Sequence, residues 1–204
     1  MNNTINQIVP SKKSPYKNKS YIAPMLTSAI GTVVPIACMM KHQKTKNPFK
    51  LTYGLRDMFI LSSSAVVGGV AGGLIGADKK SRGNKLKEGF FQILNATIPP
   101  CLVAGSVKLL DSSRFRNNKV VKIVSVIGSL VVGMLGVASL SNLILDPKDK
   151  YPDRKIKLKD CVVNADDIIG ALVLAKFPLI EKLKIEYLLP LLYTYCGYKA
   201  GKAK

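Results

Sequence analysis

The chain contains no tryptophan, a single histidine, and 12 acidic residues against 31 lysines and arginines. Each shortage excludes a class of chemistry. One histidine, His42, set among lysines, leaves no histidine-based metal site, because zinc needs several nitrogen or sulfur ligands brought together. The 4 cysteines, Cys38, Cys101, Cys161 and Cys196, form no C-x-x-C pair. Three of them sit inside apolar runs and read as small buried hydrophobes. No cofactor is implied. Ser62, Ser63 and Ser64 have no neighbouring His or Cys base, so a serine nucleophile is unsupported. The glycine-rich run after them lacks the Gly-Lys-Ser/Thr ending and the preceding strand of a phosphate loop. An enzyme is not expected.

The formal charge of +19 invites a nucleic-acid reading. A nucleic-acid surface clusters its cations on one face and interleaves aromatic rings. Here basic residues are spread over every segment between apolar runs, and aromatics make up only 7% of the chain. Nucleic acid is therefore not an expected partner. Lysines beside membrane helices suit anionic lipid head groups better.

Long uncharged runs are what the chain has in abundance. Mean hydropathy is slightly positive although 21% of residues are charged, so apolar and charged residues are segregated into blocks. The uncharged runs are 21–40, 58–77, 89–107 and 123–145. Each is long enough to cross a hydrocarbon core of about 30 Å at about 1.5 Å per residue. Four such runs in 204 residues cannot all be jacketed by the remainder of a soluble domain. Only helices satisfy every backbone group in lipid when the strand alternation of a barrel is missing. The fold class expected is an all-α polytopic transmembrane bundle with four clear membrane helices and two weaker ones, six in all. The lipid bilayer is then the first partner. Residues 1–20 form a basic tail with no apolar face. The run after that tail is longer than a signal-peptide core and reads as a retained first helix.

Glycine spacing marks how the helices pack. Gly68-x-x-x-Gly72-x-x-x-Gly76 interleaves with Gly69-x-x-x-Gly73 in the second run, and Ser125, Ser129 and Gly133, with Gly136 nearby, make a looser series in the fourth. Four-residue spacing strips side chains from one helix face and lets another backbone approach, which drives association where water expulsion cannot. A membrane-protein partner or a second copy of the chain is the expected companion. Pro99 and Pro100 should kink the third helix, with Asn95 and Thr97 beside the break to satisfy freed carbonyls.

Self-comparison suggests a 3+3 inverted repeat. Leu55-Arg56-Asp57 matches Leu158-Lys159-Asp160, and Lys85-Leu86-Lys87 matches Lys182-Leu183-Lys184. Ala29-Ile30-Gly31-Thr32 resembles Val126-Ile127-Gly128-Ser129, and Pro100 with Lys108 resembles Pro190 with Lys199. The units expected are 21–110 and 111–200, followed by a basic tail over 201–204. An odd number of helices per unit inverts the second unit. With six crossings, 18 basic residues fall on the side of both termini and 13 on the other. That excess places the termini in the cytoplasm.

The carboxyl-terminal third offers the one candidate for chemistry. If 158–177 spans, Asp166 and Asp167 lie about a third of the way across it, with Asn164 one turn earlier. A carboxylate pair at that depth would bind a cation or carry protons. The competing reading makes Asn164 a helix cap and the aspartates a stabilising first turn at the water interface. In that case 165–186 lies on the surface or re-enters without crossing. The uncharged run 187–198, only 12 residues, is too short to span alone. Two functions compete: a packing protein, as scaffold, assembly factor or complex subunit, and a small carrier or channel using the carboxylate pair.

Overall fold

A computed structural model of the chain describes residues 16–75, 77–116, 118–148, 169, 173 and 185–203. Six α-helices account for most of them: α1 (Tyr16–His42), α2 (Leu55–Leu74), α3 (Lys79–Asn95), α4 (Ile98–Asp111), α5 (Lys119–Leu145) and α6 (Leu189–Lys202). Short 3-10 turns occupy Pro48–Lys50 and Ile185–Leu188, and no strand occurs among the described residues. Residues 16–20, expected in the tail, belong to α1.

Four helical stretches are long and apolar enough to cross a membrane: Ile22–His42, Leu55–Leu74, Ser81–Asp111 and Lys119–Leu145. They mark the chain as a membrane protein. Their outward faces are apolar, as lipid requires: Ile22, Met25, Leu26, Ile30 and Val33 on α1, and Val124, Ile127 and Val132 on α5, are all more than half exposed.

The third of these stretches is divided. A continuous helix would deprive the carbonyls of Asn95 and Ala96 of donors, since Pro99 and Pro100 have no N–H. Instead α3 stops at Asn95, and α4 starts at Ile98 with both prolines in its first turn, where no N–H is needed. Across the break the Thr97 hydroxyl donates to the Ile93 carbonyl at 2.6 Å, and the Cys101 N–H to the Thr97 carbonyl at 3.1 Å.

Helix ends are settled locally. The α1 terminus closes in a Schellman turn: Thr45 N–H donates to Met40 O at 3.0 Å and Lys44 N–H to Lys41 O at 3.3 Å. Lys44 takes the left-handed conformation, φ 51°, that this turn demands. The Asp57 carboxylate reaches back to the Gly54 N–H at the start of α2, and the Asn118 side chain accepts from Val120 and Val121 N–H at the start of α5.

Packing divides into two parts. Helices α1, α2 and α6 touch one another pairwise, α4 lies on α5, and α3 contacts α2, α6 and α5. The larger core cluster gathers Met58, Leu61 and Ala65 of α2 with Leu189 and Tyr193 of α6. Leu51 and Tyr53, in the loop between α1 and α2, fold down into it, and Ile169 and Val173 pack against it. Val103 of α4 meets Val126, Leu130 and Met134 of α5 in a second cluster.

One cation is drawn into this architecture. Lys85 of α3 is 6% exposed, and its ammonium donates to the carbonyls of Gly201 at 2.8 Å and Ala203 at 2.6 Å. The last carbonyls of a helix have no intrahelical donor and carry the negative end of its dipole. Lys85 therefore fastens the end of α6 to α3. Replacing Lys85 with Met should lower stability by about 2–3 kcal/mol, the worth of charged hydrogen bonds to buried carbonyls. The same change at exposed Lys79 should be near neutral. Denaturant titration in micelles measures both.

Candidate functional site

The feature on which the bundle turns is a seam of backbone contacts around α2. Its glycines fall into two series, about 100° apart around the helix. Gly68 and Gly72 face α1, and Gly69 and Gly73 face α6. A Cβ on Gly72 would stand 2.6 Å from the Ala23 carbonyl oxygen, and one on Gly68 would stand 3.1 Å from the Thr27 carbonyl carbon. From the other side, Gly31 lies against the Ser64 carbonyl. Toward α6, a Cβ on Gly69 would come within 2.9 Å of the Gly197 Cα, and one on Gly73 within 2.7 Å of the Gly201 Cα. The α6 glycines return the contact: a Cβ on Gly197 would be 2.6 Å from the Ala65 carbonyl carbon, and one on Gly201 would be 2.7 Å from that of Gly69. No side chain fits in any of these places.

Two glycine pairs thus interlock, Gly69-x-x-x-Gly73 with Gly197-x-x-x-Gly201. The second pair escaped the sequence reading. Its spacing was visible, but Lys199 falls between the two glycines and the uncharged run beside them is short.

Because α1 and α6 occupy neighbouring faces of α2, they also meet each other. Hydroxyls, buried on α1 and half-buried on α6, fill that line. Ser28 donates to the Thr194 carbonyl at 2.8 Å, and the hydroxyls of Thr32 and Thr194 lie 2.7 Å apart. The Thr32 hydroxyl is also 3.0 Å from the Ser28 carbonyl and the Thr194 hydroxyl 2.7 Å from the Pro190 carbonyl, so one threonine donates to the other while the second donates to its own helix. Ser28 and Thr32 are 0% and 3% exposed. Polar side chains at a membrane helix interface act as directional ties of this kind.

The serines of α2 lie nearby. Ser62 is buried and donates to the Phe59 carbonyl at 3.1 Å, whereas the buried Ser63 oxygen has no hydrogen-bond partner among the described residues.

The remaining sequence candidates are distributed as follows. Gly133 of α5 sits over α4, where an added Cβ would be 2.7 Å from the Pro99 Cα. Pro99 and Pro100 are both buried. Around Gly128 and Gly136 of α5, and Gly105 of α4, an added Cβ would meet nothing within 4 Å among the described residues. Gly76 and the group Asn164, Asp166 and Asp167 lie outside the described residues. Among the described residues no group of His, Cys, Asp and Glu comes together to hold a metal ion.

No protein family, curated protein or solved structure matches the chain. The geometry alone carries the reading.

Substitution separates the seam from the open glycines. Gly69→Ala puts a methyl into the α6 backbone and should cost at least about 3 kcal/mol, the upper end of ordinary overpacking. Gly128→Ala, into open space, should leave stability unchanged or slightly raised through better helix propensity. Thermal unfolding of the two variants in one detergent tests the difference.

Proposed function

We propose that the chain is a non-enzymatic, multi-pass integral membrane protein that acts by helix packing, as a scaffold, an assembly factor or a subunit of a larger complex. The observation that carries this reading is the contrast between the two sets of glycines. Those of α2 and α6 are fully occupied in holding the fold. Among the described residues, Gly128 and Gly136 of α5 are left open beside exposed Val124, Val132 and Leu135. The exposed side of α5 therefore keeps both the flatness that admits another helix backbone and an apolar rim to pack on it. The hydroxyls of the α1–α6 line support the same reading, since each is committed to a carbonyl or to another hydroxyl of the bundle.

A second reading, a small carrier for a cation or other solute, draws support from the arrangement of helices. In the proposed inverted repeat α1 corresponds to α5, and α4 to α6. The pairs α1 with α6 and α5 with α4 are both in contact. Helices α4 and α6 are each 14 residues long and each begins with proline in its first turn. Broken helices at matching positions are where such transporters hold their cargo. On this reading Asp166, Asp167 and Asn164 would form the site.

Particle mass in a mild detergent separates the two. A packing protein should run as an assembly larger than one 22.1 kDa chain with its micelle. The pair Gly128→Leu and Gly136→Leu should release the single chain without changing its melting temperature, and the pair Asp166→Asn and Asp167→Asn should leave the assembly intact. A carrier predicts the reverse: a lone chain whose proton or cation flux in proteoliposomes vanishes with the aspartate pair and survives the leucines.

A further inference from the structure

Where α1 ends and α2 begins, the bundle leaves a cavity of about 700 Å³. It is open on one side, and its lining changes character along its length. Pro35 and Met39 form a buried apolar wall, and Val34 and Ile60 continue that wall onto the lipid-facing surface at 57% and 38% exposure. At the loop end the lining turns polar, with His42, Gln43, Thr52, Arg56 and Asp57.

The polar groups are not equivalent. Gln43 is bound to Thr52, donating to its carbonyl at 2.8 Å and accepting from its N–H at 3.0 Å. Asp57 is held by the Gly54 N–H at 3.0 Å. The side chains of Arg56 and His42 make no hydrogen bond or ion pair with any described residue. A guanidinium with no acceptor among the described residues therefore stands at the mouth of an apolar cleft. Lys41 in the last turn of α1 and Lys44, Lys46 and Lys50 of the following loop add positive charge to the same segment.

An occupant must satisfy both ends. It needs one anionic group for the guanidinium and an apolar body that leaves sideways into lipid. Arginine's fixed fork matches a phosphate oxygen pair, and a volume of this size is typical of a small-molecule site. We infer that this cleft is a binding site for an anionic glycerophospholipid, its phosphate on Arg56 with His42 beside it and its chains running over Met39, Val34 and Ile60 into the bilayer. The inference rests on the chain lying in a membrane and is independent of whether it acts as a scaffold or a carrier. It goes beyond a general attraction between basic loops and anionic membranes, because it names one place and one stoichiometry.

The test uses the full-length chain in phosphatidylcholine nanodiscs doped with phosphatidylglycerol, followed by native mass spectrometry of the lipid retained on release. One phosphatidylglycerol per chain should be kept in preference to phosphatidylcholine. Arg56→Gln should weaken retention by about tenfold, the lower bound for losing a charge-assisted hydrogen bond. Lys50→Gln, the same charge change outside the cavity, should have little effect. Ile60→Trp, which fills the apolar wall without altering charge, should also displace the lipid, and it keeps the test informative if the Arg56 variant fails to fold. Equal retention of the two lipids, or equal losses from Arg56→Gln and Lys50→Gln, would overturn the site. Displacement of phosphatidylglycerol by millimolar inorganic phosphate would also overturn it, since the cleft would then be a site for free phosphate.

Discussion

Lipid tails are as apolar as leucine, so a membrane helix gains little by leaving them for a neighbour of the same kind. What it can gain is contact density, and contact density rises when two backbones approach without side chains between them. Helix α2 meets this condition twice. Its interleaved glycines open two adjacent faces, one taken by α1 at Gly68 and Gly72 and the other by α6 at Gly69 and Gly73. Two helices lodged on neighbouring faces of a third are forced together, and the hydroxyls of Ser28, Thr32 and Thr194 lie where they meet. The seam, the hydroxyl line and the position of α6 are thus consequences of one spacing in α2.

That arrangement explains how so short a helix is kept in place. Helix α6 has 14 residues, which at about 1.5 Å per residue reach about 21 Å, less than a hydrocarbon core. It is held by the glycine seam along its length, by Leu189 and Tyr193 in the core near its start, and by Lys85 on its last carbonyls. The loop between α1 and α2 seals the same end as Leu189: Leu51 and Tyr53 are buried there, and Phe49 meets the Tyr187 ring edge-on at 5.4 Å. Docked in this way, α6 buries Leu189, Tyr193, Gly197, Ala200 and Gly201 against the rest of the bundle, although it is too short to span by itself.

Much of this was legible in the sequence, for reasons that can be given residue by residue. Uncharged runs report membrane helices because length and apolarity are imposed by the bilayer, and four such helices are present. Glycine spacing in α2 gives an expectation of close packing without saying which neighbour each series meets, since that depends on chain folding beyond the helix. The partner pair Gly197 and Gly201 was hidden by Lys199 between them, a residue whose charge ended the apolar run early. Pro99 and Pro100 were expected to kink the third helix, and both lie in the first turn of α4. The helix ends at Asn95 and restarts, because two adjacent prolines fit a first turn better than a kink. The cleft beside Arg56 had no linear signal at all, as it is made by a loop folding back on two helix ends.

The seam and the hydroxyl line both require α6 to lie against α1 and α2 inside the bundle. The most direct measurement is a disulfide between Thr32→Cys and Thr194→Cys, in a chain whose Cys38, Cys101, Cys161 and Cys196 are replaced by alanine. A protease site inserted between residues 146 and 160 would report it on a gel. The native hydroxyls lie 2.7 Å apart, so mild oxidation should join the two fragments nearly completely. A control pairing Thr194→Cys with Ser139→Cys on the exposed side of α5 should stay open. Failure of the first pair to close, or equal closure of both, would show that α6 does not occupy the seam and would contradict the account.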